Sequence, residues 1–327
     1  MEGLPVTLRI GFVGCGVIAR AHVDSLCKMP DVQMVAFTDV DPDRAAEAAA
    51  RFAGAAAYTR VADMLDAQKL DAVYVCVPPH AHGEIELALI GRRIPFFVEK
   101  PVGNDRKTPQ AVLKALRGKK LITSVGYMMR YRDNSRRVRD HLAESPPVVA
   151  RGAWVGGLPP ATWWLRKDQG GGQLMEQTTH IFDLARYLFG EVKSVFCAAR
   201  RGVITDIEGY TGDDASICTL TFESGLLCEI TSSCAVEKGE ICLDAVDRKG
   251  RARLEGWNLD LTLTAGNETH RFVSTEEIFL REAQVFVEAV KSGDGSKIES
   301  PYADAVKTQM VTCAANESME SGRPVRP

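Results

Sequence analysis

A short glycine-rich segment near the start of the chain limits the possible folds more than any other feature. Residues Gly14–Ala19 read G-x-G-x-x-A, directly after the apolar run Leu8–Val13 and at the start of a helical pattern. Gly14 permits a tight turn, Gly16 lets the backbone approach a pyrophosphate, and Ala19 allows a helix to pack closely on a strand. The segment predicts a dinucleotide-binding turn, although the pattern alone also fits an ordinary glycine-rich turn between strand and helix.

An acidic residue beyond the second predicted strand supports the dinucleotide interpretation. Asp39 follows the apolar run at 32–37, and 39 − 14 = 25 positions separate it from Gly14. This is near the spacing of about 20 residues at which an acid meets the ribose hydroxyls of a dinucleotide. Because the carboxylate would repel a 2′-phosphate, we predict NAD rather than NADP, with Arg44 nearby leaving NADP open. A helix-capping or turn role is the alternative for Asp39.

Short apolar runs alternate with helical stretches through the first part of the chain. We predict strands at 8–13, 32–37, 72–77, 95–98 and 121–125. We predict helices at 18–28 and 43–52, and the segment 85–90 continues the alternation. This order is typical of successive βαβ units, so we expect an α/β fold with a parallel sheet and helices on its faces.

After about residue 145 the predicted strands follow one another in series. They lie at 215–222, 226–232, 241–247 and 259–265, and Glu223-Ser224-Gly225 is typical of a hairpin turn. We therefore predict a mostly antiparallel second sheet, a helix at 173–189, and closing helices at 276–290 and 301–320. The predicted domains are 1–123 and 124–327, and helix 301–320 is a candidate to pack back on the first domain.

Composition excludes several classes of protein. Forty Lys and Arg against 43 Asp and Glu give a net charge of −3, so no bulk positive field attracts nucleic acid or an anionic membrane. No apolar run is long enough to span a membrane and no secretory signal is evident, so a cytoplasmic protein is expected. The nine cysteines are scattered without a CxxC pair, which favours reduced core thiols and no metal site.

A lysine follows one of the predicted parallel strands. Lys100 lies between Glu99 and Pro101, on the edge where open parallel sheets bind their ligands. A lysine at this edge can donate a hydrogen bond to a developing alkoxide. The alternative is a solvated lysine in a turn that ends at proline.

A carboxyl and an imidazole stand four positions apart in the predicted helix 173–189. Glu176 and His180 therefore share a helix face, with Gly170-Gly171-Gly172 just before them. Histidine is the side chain best suited to proton transfer near neutral pH. A structural histidine is the alternative, and the helix alone does not decide between the two.

Taken together, these motifs resemble the Gfo/Idh/MocA family of nicotinamide-dependent sugar and polyol oxidoreductases. The resemblance covers nearly the whole chain. It rests on the glycine loop, Asp39, the segment 71–79 with His82, Glu99-Lys100-Pro101, the stretch 126–131, and the segment from the triple glycine to Asp183. The family implies an N-terminal Rossmann domain and a C-terminal α/β domain whose open sheet often forms the interface of a homodimer or homotetramer.

The resemblance also implies roles for individual residues. Lys100 would be the catalytic lysine and His180 would share proton transfer with it, while Glu176 stands where the family usually has aspartate. The cofactor contacts would be Gly14, Gly16, Val17, Ile18, Asp39, Pro78, His82, Glu99 and Lys100. The expected reaction is hydride transfer between a secondary alcohol of a sugar, inositol or sugar derivative and NAD.

The substrate candidates are Arg130, Trp163, Trp164, Arg166 and Gln177. The two tryptophans could instead pack between domains, and Arg130 could belong, with Arg136, Arg137 and Arg139, to a solvated helix face. The alternative functions are an NAD-dependent glycosidase and a non-enzymatic regulator that binds NAD and sugar.

Overall fold

The computed structural model describes residues 7–159 and 161–327, and the chain divides into two compact units. The first unit contains the chain up to Gly103 together with 107–126 and 277–304. The second contains 104–106, 127–276 and 305–327. A single boundary at residue 123 therefore does not describe the division, because the segment 277–304 lies in the first unit.

The first unit is built on a six-stranded parallel sheet with strand order β3-β2-β1-β4-β5-β6. Its elements are β1 Leu8–Val13, α1 Val17–Leu26, β2 Val32–Thr38, α2 Pro42–Ala50, β3 Ala56–Tyr58, α3 Val61–Ala67, β4 Ala72–Val75, α4 Glu84–Arg92, β5 Phe96–Val98, α5 Lys107–Leu116 and β6 Thr123–Val125. The α/β prediction with a parallel sheet is confirmed. The carboxyl ends of β1, β2, β4 and β5 lie at one edge of this sheet, where doubly wound sheets bind ligands.

The second unit is built on an eight-stranded sheet with strand order β14-β13-β12-β11-β7-β10-β9-β8. Its elements are α6 Asp133–Glu144, β7 Val149–Val155, α7 Lys167–Gly170, α8 Gln173–Glu176, α9 Thr179–Phe189, β8 Val192–Arg200, β9 Ala215–Phe222, β10 Leu227–Ser233, β11 Ile241–Val246, β12 Gly250–Glu255, β13 Asp260–Ala265 and β14 Glu268–Phe272. Among the described strands of this sheet, only the β7–β10 pair is parallel. The prediction of a mostly antiparallel second sheet is therefore confirmed.

Two long helices close the chain, α10 Ile278–Ser292 and α11 Tyr302–Ser321. Helix α10 belongs to the first unit because its aromatic side chains pack there. The Phe286 ring lies edge-on to Tyr74 and Phe97, with centroids 5.5 and 5.8 Å apart, and Phe279 lies edge-on to His22. From Ala305 onward α11 is part of the second unit. The helix predicted at 301–320, which was expected to pack on the first domain, thus lies mostly in the second unit. Helix α10 is the closing helix that packs in the first unit.

The predicted continuous helix 173–189 is divided into α8 and α9. The carbonyl of Gln173 accepts from the N–H groups of both Gln177 and Thr178, which widens the turn. The next turn tightens, since the N–H of His180 donates to the carbonyl of Gln177. Apolar side chains recur at helical spacing on both sides of the break, so their periodicity does not reveal it.

Two of the nine cysteines differ from the prediction. Cys197 in β8 and Cys218 in β9 are directly opposite in the antiparallel pair and form a disulfide. The reduced-thiol prediction is wrong for these two residues, because strand pairing, which the sequence spacing does not reveal, brings them together. The other seven cysteines are free thiols.

Among residues 7–159 and 161–327, no helix is long and apolar enough to cross a membrane. Within the same ranges, no group of three His, Cys, Asp or Glu side chains is arranged to hold a metal ion.

Candidate active site

The glycine loop has the geometry that a dinucleotide requires. Gly14 has a φ of 86°, and a Cβ at this position would lie 2.4 Å from the carbonyl oxygen of Cys76. Only glycine fits there, because both the backbone conformation and the close approach exclude a side chain. Gly16, the N-cap of α1, has no atom within 4 Å of the corresponding Cβ position. The Cβ side of Gly16 is thus open, beside the N-terminus of α1, where backbone N–H groups favour an anion.

Asp39 lies beside this loop at the end of β2. One carboxylate oxygen accepts from the backbone N–H of Cys15 at 2.8 Å, and the other accepts from the N–H of Asp41 at 3.0 Å. These bonds fix the carboxylate next to the glycine turn and leave further lone pairs on each oxygen. Arg44 pairs with Asp41 at 3.3 Å. The placement fits an acid that accepts from ribose hydroxyls.

A cavity of about 250 Å³ lies next to the loop in the first unit. Arg20 and Arg44 are on its wall, together with Glu47 and the side chain of Cys15. Burial raises the pKa of the Cys15 thiol to about 12, with a further contribution from Asp39. The thiol therefore stays protonated and has no role as a nucleophile.

Two predicted cofactor residues follow β4. Pro78 caps a 3₁₀ turn at Pro79–Ala81, and His82 comes directly after that turn. The Nδ1 of His82 lies 2.6 Å from Oε1 of Glu86, and both side chains are almost completely buried. Burial alone would raise the pKa of Glu86, but His82 and the N–H of Gly83 outweigh it, so the pKa lies below its usual value. His82 is thus held inside the first unit by Glu86.

Lys100 and Glu99 follow β5 at the same sheet edge. Lys100 is half-buried, and its peptide bond to Pro101 is cis. The carboxyl of Glu99 is buried, with one oxygen 2.7 Å from Nε2 of His22 and the other accepting from the backbone N–H of Lys100 at 3.1 Å. Both oxygens therefore have partners inside the first unit, and this geometry favours a supporting role for Glu99 over a direct cofactor contact.

The second unit carries Glu176 at the end of α8 and His180 in the first turn of α9. Both residues are buried, at 3% and 5% exposure. The indole of Trp154 stacks on the His180 ring, with centroids 5.5 Å apart and planes 23° apart. Tyr127 lies edge-on to the same imidazole at 6.1 Å. The imidazole is therefore held between two aromatic side chains.

Trp154 and Tyr127 were not among the candidate site residues predicted from the sequence. Burial and the nearby Asp183 raise the pKa of the Tyr127 hydroxyl, which lies 3.0 Å from Oγ1 of Thr179. The phenol therefore stays protonated at neutral pH. A signal was present for Tyr127, since it lies in the stretch 126–131 that carries part of the family resemblance. Trp154 gave no signal, because a tryptophan in a strand ordinarily indicates core.

The substrate candidates before the triple glycine form a local cluster. The rings of Trp163 and Trp164 lie 5.4 Å apart, and both residues are partly exposed. Arg166 is exposed and makes two hydrogen bonds to Asp168, at 3.1 and 2.9 Å. Gln177, at the helix break, accepts from the side-chain amide of Gln173 at 2.8 Å.

Arg130 does not lie on a solvated face. It is buried at 3% exposure and makes a two-point ion pair with Asp183, at 2.7 and 2.5 Å. Asp183 also accepts from the Thr308 hydroxyl at 2.7 Å. Arg137 and Arg139 are exposed, as expected. The guanidinium is thus engaged in fixing α9, which argues against Arg130 as a substrate ligand.

Replacing Arg130 by methionine should destabilise the second unit by about 3–5 kcal/mol, because the buried Asp183 carboxylate loses its charged partner. Denaturant unfolding followed by tryptophan fluorescence measures the loss. The matched control is Arg20→Met, which removes an exposed pair with Glu47 and should cost under about 1 kcal/mol. A loss at Arg130 no larger than at Arg20 would show that the buried pair contributes no net stability.

Comparison with known proteins gives family matches over both units. The model for the oxidoreductase family with an NAD-binding Rossmann fold matches residues 8–127. The model for the GFO/IDH/MocA C-terminal domain matches residues 146–255. The myo-inositol 2-dehydrogenase of Thermotoga maritima is 27% identical over 334 residues, covering 98% of each chain. The inositol 2-dehydrogenase of Rhizobium meliloti is 27% identical over 88% of this chain and 90% of its own.

Solved structures share the fold at lower identity. A levoglucosan dehydrogenase in complex with NADH and levoglucosan superposes with a TM-score of 0.86 at 19% identity, covering 98% of this chain and 99% of that one. The WlbA dehydrogenase of Bordetella pertussis, in complex with NADH and UDP-GlcNAcA, gives a TM-score of 0.84 at 19% identity, with the same coverage. At these identities the superpositions establish the fold alone.

Proposed function

The chain belongs to the Gfo/Idh/MocA oxidoreductase family, with an NAD-binding Rossmann domain, and from that premise we propose that it oxidises a secondary alcohol of an inositol or sugar. The names of the relatives support this substrate class, since full-length relatives at 27% identity are inositol 2-dehydrogenases. The reverse direction, reduction of the ketone, is the same reaction read backwards.

The observation that carries the proposal is the arrangement at the carboxyl edge of the first sheet. The glycine loop follows β1, Asp39 follows β2, Pro78 follows β4 and Lys100 follows β5. In a parallel sheet these strand ends lie together. The first unit therefore provides an anion cradle, an acid for ribose and a cationic donor on one edge. Bound there, NAD supplies the hydride acceptor.

We assign the proton chemistry to three residues. The ammonium of Lys100 donates a hydrogen bond to the reacting oxygen and stabilises the negative charge that develops there. His180 accepts the hydroxyl proton, and Glu176 orients the imidazole. The hydride leaves carbon with both electrons of the C–H bond, so the alcohol becomes a ketone and one proton remains on His180. Trp163, Trp164, Arg166 and Gln177 are assigned to sugar recognition, where indole faces pack on sugar C–H groups.

Assembly and location belong to the same proposal. The outer face of the second sheet exposes Phe196, Ile217, Leu227 and Val149, and apolar side chains grouped on one face are typical of an interface. We therefore propose a homodimer or homotetramer formed through this face. A cytoplasmic location is proposed because NAD is held inside cells.

A substrate screen tests the reaction class. The protein is incubated with NAD or NADP and with inositols, aldoses, sugar acids or glycosides, and reduced nicotinamide is followed by absorbance. The proposal expects NADH with at least one inositol or aldose. Glycoside cleavage without net NADH would instead identify a glycosidase, and tight NAD binding without turnover of any compound would identify a regulator.

Coenzyme choice gives a separate prediction. Replacing Asp39 by serine should weaken NAD use and improve NADP use, shifting the ratio of their kcat/KM values by about 100-fold, or about 2.7 kcal/mol. The carboxylate no longer repels the 2′-phosphate, and Arg44 offers positive charge nearby. Steady-state kinetics with both coenzymes measures the ratio, with Asp43→Ser as the control on the exposed start of α2. An unchanged ratio would refute the ribose role of Asp39.

A further inference from the structure

A buried imidazole–carboxyl pair includes Glu99, the residue that precedes Lys100 in the chain. His22 of α1 and Glu99 after β5 are 2.7 Å apart from Nε2 to Oε1, with side-chain exposures of 1% and 7%. Phe97 and Phe279 lie edge-on to the His22 ring, with centroids 4.8 and 5.5 Å away, and Tyr74 is tilted against it at 5.4 Å. Polar groups in such an apolar setting are costly unless each finds a partner. The mechanism proposed above uses neither residue.

The other oxygen of Glu99 connects the pair to the lysine. Oε2 accepts from the backbone N–H of Lys100 at 3.1 Å. The carboxyl also lies close to the backbone of Gly126, where a Cβ would be only 2.8 Å from Oε1 and 3.0 Å from Oε2. The Glu99 backbone is fixed as well, because its N–H donates to the carbonyl of Val75 at 2.8 Å. The Glu99 carboxyl is therefore held by the His22 imidazole and by the residue 100 amide, close to the Gly126 backbone.

We propose that His22 and Glu99 form a positioning pair for Lys100, an inference that rests on the proposed function of that lysine. His22 holds one oxygen of Glu99, which leaves the second oxygen aimed at the Lys100 amide. The backbone of Lys100, from which its side chain extends, is thereby held at the carboxyl edge of the first sheet. No proton passes through the pair. Its effect is geometric, since a displacement of about 1 Å at a reacting group can cost about 100-fold in rate.

Three variants separate positioning from general stability. Glu99→Ala removes both hydrogen bonds and should lower kcat about 100-fold. Glu99→Gln keeps the shape: its amide oxygen can accept from the Lys100 N–H, and its NH₂ can donate to Nε2 of His22 when the imidazole carries its proton on Nδ1, so kcat should stay within about fivefold of wild type. His22→Leu leaves Glu99 with one partner and should fall between these values. The dissociation constant of NADH should stay within about threefold in all three variants.

Hydrogen exchange at the Lys100 amide gives a readout that needs no substrate. Mass spectrometry resolved to single amides should show protection at residue 100 in the wild type and in Glu99→Gln, and faster exchange in Glu99→Ala. The matched control is His141→Leu, which breaks another histidine–carboxylate pair, with Asp247 at 2.8 Å, in the second unit. It should leave both kcat and the exchange of the Lys100 amide unchanged.

The possible results distinguish failure of the proposed function from failure of the positioning role. A wild type that reduces no NAD with any polyol rejects the proposed function. If the wild type is active and Glu99→Ala keeps kcat within about threefold of it, the positioning role is rejected while the proposed function stands. The same conclusion follows if Glu99→Gln is as impaired as Glu99→Ala. If Glu99→Ala does not fold, the other two variants test the positioning role. It requires that Glu99→Gln keep kcat near the wild-type value and that His22→Leu lower it.

Discussion

Replacing Lys100 by methionine is expected to lower kcat for NAD reduction by an inositol or sugar by about 1,000-fold. Methionine keeps an apolar stem as far as Cε and removes the ammonium group, with its charge and its hydrogen-bond donors. The reacting oxygen then develops its negative charge without a cationic partner. Initial rates at saturating NAD and polyol measure kcat, and fluorescence titration measures NADH binding, which should change by less than about threefold.

The control for this variant is Lys119→Met, which removes an exposed lysine of the first unit and should leave kcat unchanged. Retention of more than about a tenth of wild-type activity by Lys100→Met would contradict the assignment. A loss of NADH affinity equal to the loss of rate would also contradict it, because the lysine would then act in binding the coenzyme and not in the reaction.

Replacing His180 by asparagine is expected to lower kcat/KM for alcohol oxidation by about 100- to 10,000-fold, the usual contribution of a positioned base. The base accepts a proton only in its neutral form, so wild-type kcat/KM should rise with pH as the imidazole loses its proton. Asparagine cannot titrate, so this rise should disappear in the variant. A pH series of kcat/KM for both proteins measures it.

His270→Asn is the matched control, since His270 is exposed on β14, and the full pH dependence should be retained there. If His180→Asn loses rate but keeps the same rise with pH, another group is the base. His180 would then contribute only through its packing between Trp154 and Tyr127.

Local patterns predicted the parts of the fold that depend on neighbouring residues. The bounds of β1 and β9 agree with the predicted runs at 8–13 and 215–222, and the hairpin turn at Gly225 has the positive φ that its glycine suggested. The glycine loop was predictable for the same reason. Its conformation is set by sterics within a few residues, and glycine marks where the backbone must come close.

Features that depend on distant contacts were not predictable. The apolar stripe of α10 shows that one face is buried but not on which sheet it packs, so the domain boundary could not be placed. The break at Gln177 and Thr178 depends on a carbonyl shared by two N–H groups, which apolar periodicity does not record. The disulfide between Cys197 and Cys218 depends on the register of two strands.

The roles of polar residues at the site also depend on distant contacts that the sequence does not reveal. Sequence position suggested that Glu99 and Arg130 face ligands, yet each is buried against a partner far along the chain, His22 and Asp183 respectively. A charged residue next to a motif can hold the motif in place without contacting the ligand. The sequence does not distinguish this supporting role from ligand contact, because the distinction depends on which residue the charged group meets in the fold. The stacking of Trp154 on His180 is equally a product of the fold.

If this chain moves a hydride from the carbon of a secondary alcohol to NAD, deuterium on that carbon must reach the nicotinamide. The protein is mixed with NAD and an inositol deuterated at its ring carbons, and the nicotinamide product is analysed by mass spectrometry. We expect NADH carrying one deuterium for each ketone formed, and almost no deuterated NADH from Lys100→Met over the same time. Consumption of the inositol without deuterium in the nicotinamide would contradict this hydride transfer.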